Sequence, residues 1–208
     1  MEAFIRLEAI ACPLGAENVD TDQLIPARFM SRSRAEGYGR YLLHDLRFAD
    51  DGASRRLIID APRYAGARVL VARRNFGTGS SREAAVYALW DFGIRCVIAP
   101  SFGDIFASNA VKNGLLPATV TAEDAEALLA FLADAASPRL AIDLDALTIT
   151  CEGGTYRFTL DPVRRLQLLN GWDDIDLTNQ HRTAINHYRN NRKRSHPWAF
   201  PPTVSLER

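Results

Sequence analysis

Apolar and polar positions along the chain follow two periods, and the expected elements lie where each period holds. From Phe4 to Ala11 the residues alternate (Phe4, Arg6, Glu8 against Ile5, Leu7, Ala9), the pattern of a half-buried strand. Val69-Leu70-Val71-Ala72 and Cys96-Val97-Ile98-Ala99 are short apolar runs with no alternation, as in buried strands. Between them Ala85, Val86, Leu89 and Trp90 recur at helical spacing, and Gly93 stops the helix. Ser80 or Ser81 is placed to cap that helix, with Arg82-Glu83 in its first turn. The stretch Asn75–Asn113 therefore reads as the centre of a βαβ unit, with a glycine-serine loop where strand end and helix start meet.

After that unit, Ser101 is expected to start a helix carrying Ile105, Phe106 and Val111, ended by Gly114. Leu115–Val120 reads as extended. Thr121 with Asp124 resembles a capping box opening an alanine- and leucine-rich helix over Ala122–Ala135. Ile142–Leu144, Leu147–Cys151 and Tyr156–Leu160 read as strands, the last two joined through Gly153-Gly154. Asp161-Pro162 opens a helix that Gly171 closes, and a last helix covers roughly Thr178–Tyr188.

Other stretches lack a period. Gly15 to Phe29 reads as a structured polar loop, in which Asp20 and Asp22 either cap turns or orient a catalytic or substrate-binding group. Met30–Asp51 reads as an excursion with a short helix around Gly37–Leu43, Leu57-Ile58-Ile59 as a strand, and Ala61–Gly66 as a turn. The expected organisation is one domain over 1–188 and a basic, proline-containing flexible tail over 189–208.

Composition narrows the picture. The chain has 208 residues, enough for a sizeable core, and its 25 Lys plus Arg balance its 25 Asp plus Glu, so no global charge favours nucleic acid or a membrane surface. The start, MEAFIRLEAI, lacks the features of a signal peptide, and no apolar run approaches the roughly 20 residues of a membrane span. Cys12, Cys96 and Cys151 form neither a disulfide framework nor a CxxC metal pair. A soluble cytoplasmic protein is the expectation.

The chemistry concentrates in Gly77-Thr78-Gly79-Ser80-Ser81-Arg82. Unpaired N–H groups and the helix dipole at such a loop suit an anion, and Arg82 adds a fork that matches carboxylate or phosphate. No lysine follows to make a Walker A loop, Arg82 stands where a dinucleotide fingerprint needs glycine, and no GxSxG occurs. His44, His181, His187 and His196 lie far from Ser80 in sequence, so a catalytic triad has no support. A serine works as a base only where donors and a cation stabilise its alkoxide, and this loop offers both. The residues alone leave three uses open: a catalytic half-site completed by another chain, a small-anion-binding module, or a purely structural loop.

Four ordered stretches carry a resemblance: Asn18-Val19-Asp20-Thr21-Asp22-Gln23-Leu24-Ile25-Pro26, Asn75–Glu83, Ala99-Pro100-Ser101-Phe102-Gly103-Asp104-Ile105-Phe106, and Lys112-Asn113-Gly114-Leu115-Leu116-Pro117. With Thr155–Phe158 and Leu168–Gly171, they resemble the bacterial 3-isopropylmalate dehydratase small subunits over about residues 1–188. The resemblance implies an α/β fold, the swivelling β/β/α domain of the aconitase superfamily, with a mixed sheet flanked by helices. It implies a hydro-lyase that isomerises 2-isopropylmalate to 3-isopropylmalate in leucine biosynthesis, active only with a large subunit in a heterodimer or heterotetramer. A [4Fe-4S] cluster would be carried by that partner, with no metal bound by this chain. It makes Ser80 the base and puts Asp22 in the hydroxyl-handling network. Arg28, Thr21, Ser81 and Arg82 would bind a dicarboxylate substrate, with the loop Phe29–Arg34 facing its side chain. The family pattern has cysteine at Thr78 and histidine at Ala84. These departures, the cationic Met30–Arg34 loop and the basic tail suggest a paralogue acting on another substituted malate, of the citraconate or dimethylmaleate type. A stand-alone dicarboxylate-binding protein without catalysis is the rival from another class.

Overall fold

The computed structural model describes residues 1–200. Seven strands form one mixed sheet: β1 (Arg6–Pro13), β2 (Val69–Val71), β3 (Cys96–Ala99), β4 (Leu116–Thr119), β5 (Arg139–Asp143), β6 (Thr148–Cys151) and β7 (Gly154–Arg157), in the order β4-β3-β2-β1-β5-β6-β7. The β4-β3-β2-β1 half is parallel, whereas β5, β6 and β7 pair antiparallel. Helices are α1 (Thr21–Leu24), α2 (His44–Arg47), α3 (Glu83–Phe92), α4 (Asp104–Lys112), α5 (Ala122–Asp134), α6 (Pro162–Asn170), α7 (Asp174–Asn179) and α8 (Arg182–Ser195).

The unbroken apolar runs of β2 and β3 follow from their central place. Leu70, Val97 and Ala99 point into a core shared with Ala85, Val86 and Leu89 of α3. Their neighbours Val69, Val71, Cys96 and Ile98 point the other way, into a core built with Ala125, Leu128 and Leu132 of α5. Both faces are covered, so neither set of alternate positions is polar. By contrast β5 has alternating exposed and buried positions, as an antiparallel strand does with one face in water. Each fully buried leucine of these two cores contributes about 1.5–3 kcal/mol from burial.

Several local expectations are corrected. Leu57–Ile59 is not a strand: Ile58–Asp60 is a 3₁₀ turn, and Arg47 grips the Asp60 carboxylate at 2.7 Å, a side-chain tie in place of a ladder. The helix after β3 starts at Asp104 with Gly103 as its cap, because the Ser101 hydroxyl is engaged elsewhere, accepting from the Asn75 N–H at 2.9 Å. The polar stretch before Phe29 contains a capped turn of helix, α1. The excursion from Met30 to Asp51 carries 3₁₀ turns at Arg34–Glu36 and Tyr38–Tyr41 and then α2. The single last helix is two, α7 and α8, and the helical turns of α8 include the basic run Arg192-Lys193-Arg194. Residues 201–208 of the expected tail lie outside the described residues.

The chain divides into two compact units, Met1–Trp172 and Asp173–Arg208. The first holds the whole sheet and α1 to α6; the second holds α7 and α8, among whose residues none is buried. Among the described residues, no helix is long and apolar enough to cross a membrane.

Candidate active site

The loop after β2 turns on left-handed residues: Asn75 (φ 61°), Gly77 (φ 72°) and Gly79 (φ 91°). Asparagine is one of the few side chains that tolerate this conformation, and Asn18 (φ 53°) uses it on the facing segment. The two asparagines meet, Asn75 Nδ2 donating to Asn18 Oδ1 at 2.8 Å. Single parallel bridges, Asp20 with Thr78 and Phe76 with Phe102, carry the sheet's pairing into the loop. Asn18, Asn75 and Ser101 thus fix the loop's path. An asparagine opening each of the two motifs was the available signal for Asn18 and Asn75, to which the sequence reading gave no role; Ser101 was expected only to start a helix.

On the other side of the loop, α1 separates the two aspartates that the sequence could not tell apart. The Asp20 carboxylate accepts from the Gln23 N–H at 2.7 Å while Gln23 Oε1 accepts from the Asp20 N–H at 3.0 Å, a reciprocal cap. Asp22 lies one position inside the helix, faces outward, and takes the guanidinium of Arg82. Thr21, buried between them, binds the loop twice: its N–H donates to the Thr78 carbonyl at 2.9 Å, and its hydroxyl donates to the Ser80 carbonyl at 2.9 Å. The structure therefore brings Thr21, Asp22, Ser80 and Arg82 together across about sixty residues of sequence.

Neither Ser80 nor Ser81 caps α3. Arg82 is the N-cap residue, extended at φ −119°, with no side-chain cap. Both serines are exposed, and neither hydroxyl has a partner among the described residues. A serine acting as a cap has its oxygen occupied; these two hydroxyls remain available at the positive end of a helix dipole. Only 18% of the Arg82 side chain is exposed, against 57% of Asp22, so the guanidinium is the better-shielded member of the pair. Gly77, Thr78, Gly79 and Ser80 form one wall of a cleft of about 280 Å³, and Asp104, Ile105 and Phe106 at the start of α4 form the other. The sequence reading named none of this second wall as site residues. Ala84 does not line the cleft; it packs in the core beneath α3.

Arg28 is engaged differently. It stands in a 3₁₀ turn, Ala27–Phe29, and grips Asp45 with both terminal nitrogens, Nη1 to Oδ2 at 2.8 Å. Among the described residues it makes no hydrogen bond to the 75–82 loop. Phe29 stacks on Tyr41 with centroids 4.2 Å apart, which fixes the turn beneath it. The hydrogen bonds from Arg28 hold the Asp45 carboxyl well below its usual range, at about 2. The folded state binds this proton less readily than the unfolded chain, so the pair's stabilisation is present above the unfolded pKa and is lost as pH falls through about 2. With both side chains about half exposed (54% and 53%), solvent screening limits that contribution to about 1 kcal/mol or less. A carboxyl titration followed by NMR should place the Asp45 midpoint near 2 and move it up toward about 3.9 in Arg28→Ala. An ordinary midpoint in the parent chain would mean the pair does not form in solution.

Iron–sulfur clusters require thiolates, and two of the chain's three cysteines, Cys12 and Cys96, resist becoming thiolates. Cys12 and Cys96 are buried. Burial, with the Asp60 charge as a second cause, pushes Cys12 up to about 12, and burial pushes Cys96 higher still. No three His, Cys, Asp or Glu side chains converge among the described residues. The donors among the described residues do not fit a cluster.

Residues 1–123 match the family model described as the aconitase C-terminal domain. Over 211 residues the chain is 44% identical to the 3-isopropylmalate dehydratase small subunit of Magnetococcus marinus, covering 96% of this chain and 99% of that protein. The protein of the same description from Nitrobacter hamburgensis is 45% identical over 201 residues, covering 96% of this chain and all of its own length. Among solved structures, the fold matches a 3-isopropylmalate dehydratase from Methanocaldococcus jannaschii with a TM-score of 0.62 and 26% identity, covering 89% of this chain and 99% of that one.

Proposed function

The chain belongs to the family of 3-isopropylmalate dehydratase small subunits, and on that premise we propose that it is the small subunit of a hydro-lyase isomerising 2-isopropylmalate to 3-isopropylmalate in leucine biosynthesis. In this reading a large subunit completes the site and carries the [4Fe-4S] cluster, and the pair works in the cytoplasm. Isomerisation removes a proton and the neighbouring hydroxyl to give an unsaturated acid, then returns both with their positions exchanged. This chain's share is the proton and the carboxylates.

Ser80 takes the carbon-bound proton onto its oxygen and gives it back in the second half. Its alkoxide is stabilised by the N-terminal end of α3 and by the Arg82 guanidinium. Asp22 orients Arg82, and Thr21 holds Ser80 by its carbonyl, leaving the hydroxyl unencumbered. Ser81 and Arg82 receive a substrate carboxylate, Arg82 as a planar fork. Arg28 serves a carboxylate only by exchanging Asp45 for it, so its part in binding requires that pair to open when substrate or partner arrives. The observation that carries the reading is the exposed, unpartnered Ser80 hydroxyl on a loop that α1 ties through Thr21, with Asp22 of the same helix holding the Arg82 guanidinium.

The test is reconstitution. Co-expressed with a cognate large subunit, the chain should convert 2-isopropylmalate with transient absorbance of the unsaturated acid. A chain that captures no large subunit yet binds dicarboxylates in calorimetry would instead be a stand-alone binding protein. Thr78 lines the cleft where the family pattern has cysteine, which favours a second reading, a substrate shifted to a citraconate- or dimethylmaleate-type malate. A panel of substituted malates on the reconstituted pair separates the two by relative kcat/KM.

A further inference from the structure

A second cavity, of about 180 Å³, opens at the far end of the parallel strands from the Ser80 cleft. Arg6 opens β1, Arg68 stands just before β2 and Arg95 just before β3. These strands are neighbours running in parallel, so their three starts place three arginines along one edge. All three line the cavity, together with Trp90, Phe4 and Glu2.

The three cations are not equally committed. Arg6 donates through Nε to Asp143 at 2.8 Å. Arg95 lies over the Trp90 ring, 3.5 Å from its centroid, and one of its terminal nitrogens donates to the Trp90 and Ile94 carbonyls at 2.8 and 2.9 Å. Those bonds lock the guanidinium plane at the C-terminal end of α3 and leave its remaining donors unused. The Arg68 side chain has no partner among the described residues. Glu2 lines the cavity and its charge acts on Arg95, but it makes no hydrogen bond to either arginine. Burial, and next the like charge of Arg68, hold Arg95 below the usual arginine range. Two guanidiniums facing one small space repel each other unless an anion lies between them.

We infer that this cavity binds a small oxyanion, a phosphate- or carboxylate-type dianion, between the forks of Arg68 and Arg95. Its volume is below the roughly 300–1,000 Å³ of sites for drug-sized ligands, which favours a small ion over a nucleotide. Trp90 supplies the rigid wall that keeps Arg95 from following solvent.

Calorimetry with inorganic phosphate on the full chain tests the inference, comparing the parent with Arg68→Ala and Arg82→Ala. Arg68 is exposed, so its truncation leaves the fold intact, which a thermal melt verifies. Phosphate should bind the parent, bind Arg68→Ala at least about tenfold more weakly, and still bind Arg82→Ala, which removes only the anion fork of the other cleft. Binding that survives Arg68→Ala, or binding lost only in Arg82→Ala, overturns the assignment. So does a parent that binds no phosphate while Arg68→Ala weakens capture of the large subunit, since the arginines would then be a contact for partner carboxylates.

Discussion

Ser80→Ala in the reconstituted pair should lower kcat by about 10²–10⁴-fold or more while the two chains still co-purify. The size follows from the role: a positioned base that takes and returns the proton has no substitute in the cleft, whose other polar side chains are the Thr78 hydroxyl and the Asp104 carboxylate on the opposite wall. Association should be unaffected, because the Ser80 side chain makes no hydrogen bond among the described residues and its tie to Thr21 runs through the backbone carbonyl, which alanine keeps. Surface changes of this kind fall within about 0.5 kcal/mol of the parent in stability. Single-turnover measurement of solvent-deuterium incorporation into the product sharpens the test, since the variant should lose exchange along with turnover. Activity within a few-fold of the parent would remove Ser80 from the mechanism and return attention to Ser81.

Gly77→Ala should be the most damaging small substitution in the loop. A Cβ there would sit against Phe106, 2.6 Å from both Cδ1 and Cδ2, in a backbone conformation (φ +72°) that L side chains rarely adopt. The ring has nowhere to go: Phe106 is buried, edge-on to Phe76 at 5.4 Å and stacked on Phe102 at 6.3 Å. Left-handed strain of about 1–2 kcal/mol and overpacking of about 1–3 kcal/mol together predict a loss of about 2–5 kcal/mol. That is a large part of the usual 5–15 kcal/mol of net stability. At about 2–4 °C per kcal/mol for a chain of this size, Tm should fall by about 4–20 °C in a circular-dichroism melt. Trimming the obstacle in the double variant Gly77→Ala, Phe106→Leu should recover part of the overpacking loss but none of the backbone strain. A single variant melting with the parent would mean the loop does not pack on Phe106.

Much of the scaffold was legible because its signals are local. The unbroken runs of β2 and β3, the proline-started α6 and the Thr121 cap of α5, whose hydroxyl accepts from the Asp124 N–H, all occur at or near their expected positions. Where the reading slipped, a local signal had more than one outlet. Ser101 has the side chain of a cap, but the loop's Asn75 claims it. Leu57-Ile58-Ile59 has the composition of a strand, but Ile59 packs into the core and Arg47 grips the adjoining Asp60, and it turns instead. Ser80 and Ser81 were both plausible caps for α3, and the chain uses neither.

The sequence by itself determined that a glycine-serine loop with an arginine joins a buried strand to a helix, and its motifs were enough to indicate the family. Helical and strand periods, and glycine at left-handed positions, depend on backbone sterics and on burial, which neighbours in sequence largely decide. Only the tertiary structure decided that Asp20 is the cap and Asp22 the partner of Arg82, that Arg28 is held by Asp45, and that Arg68 and Arg95 share a cavity in which neither is hydrogen-bonded to a carboxylate. Each of these depends on which charged group meets which across long sequence separations. An aspartate or arginine has the same intrinsic chemistry at every such position, and the fold sets its role by supplying or withholding the opposite charge.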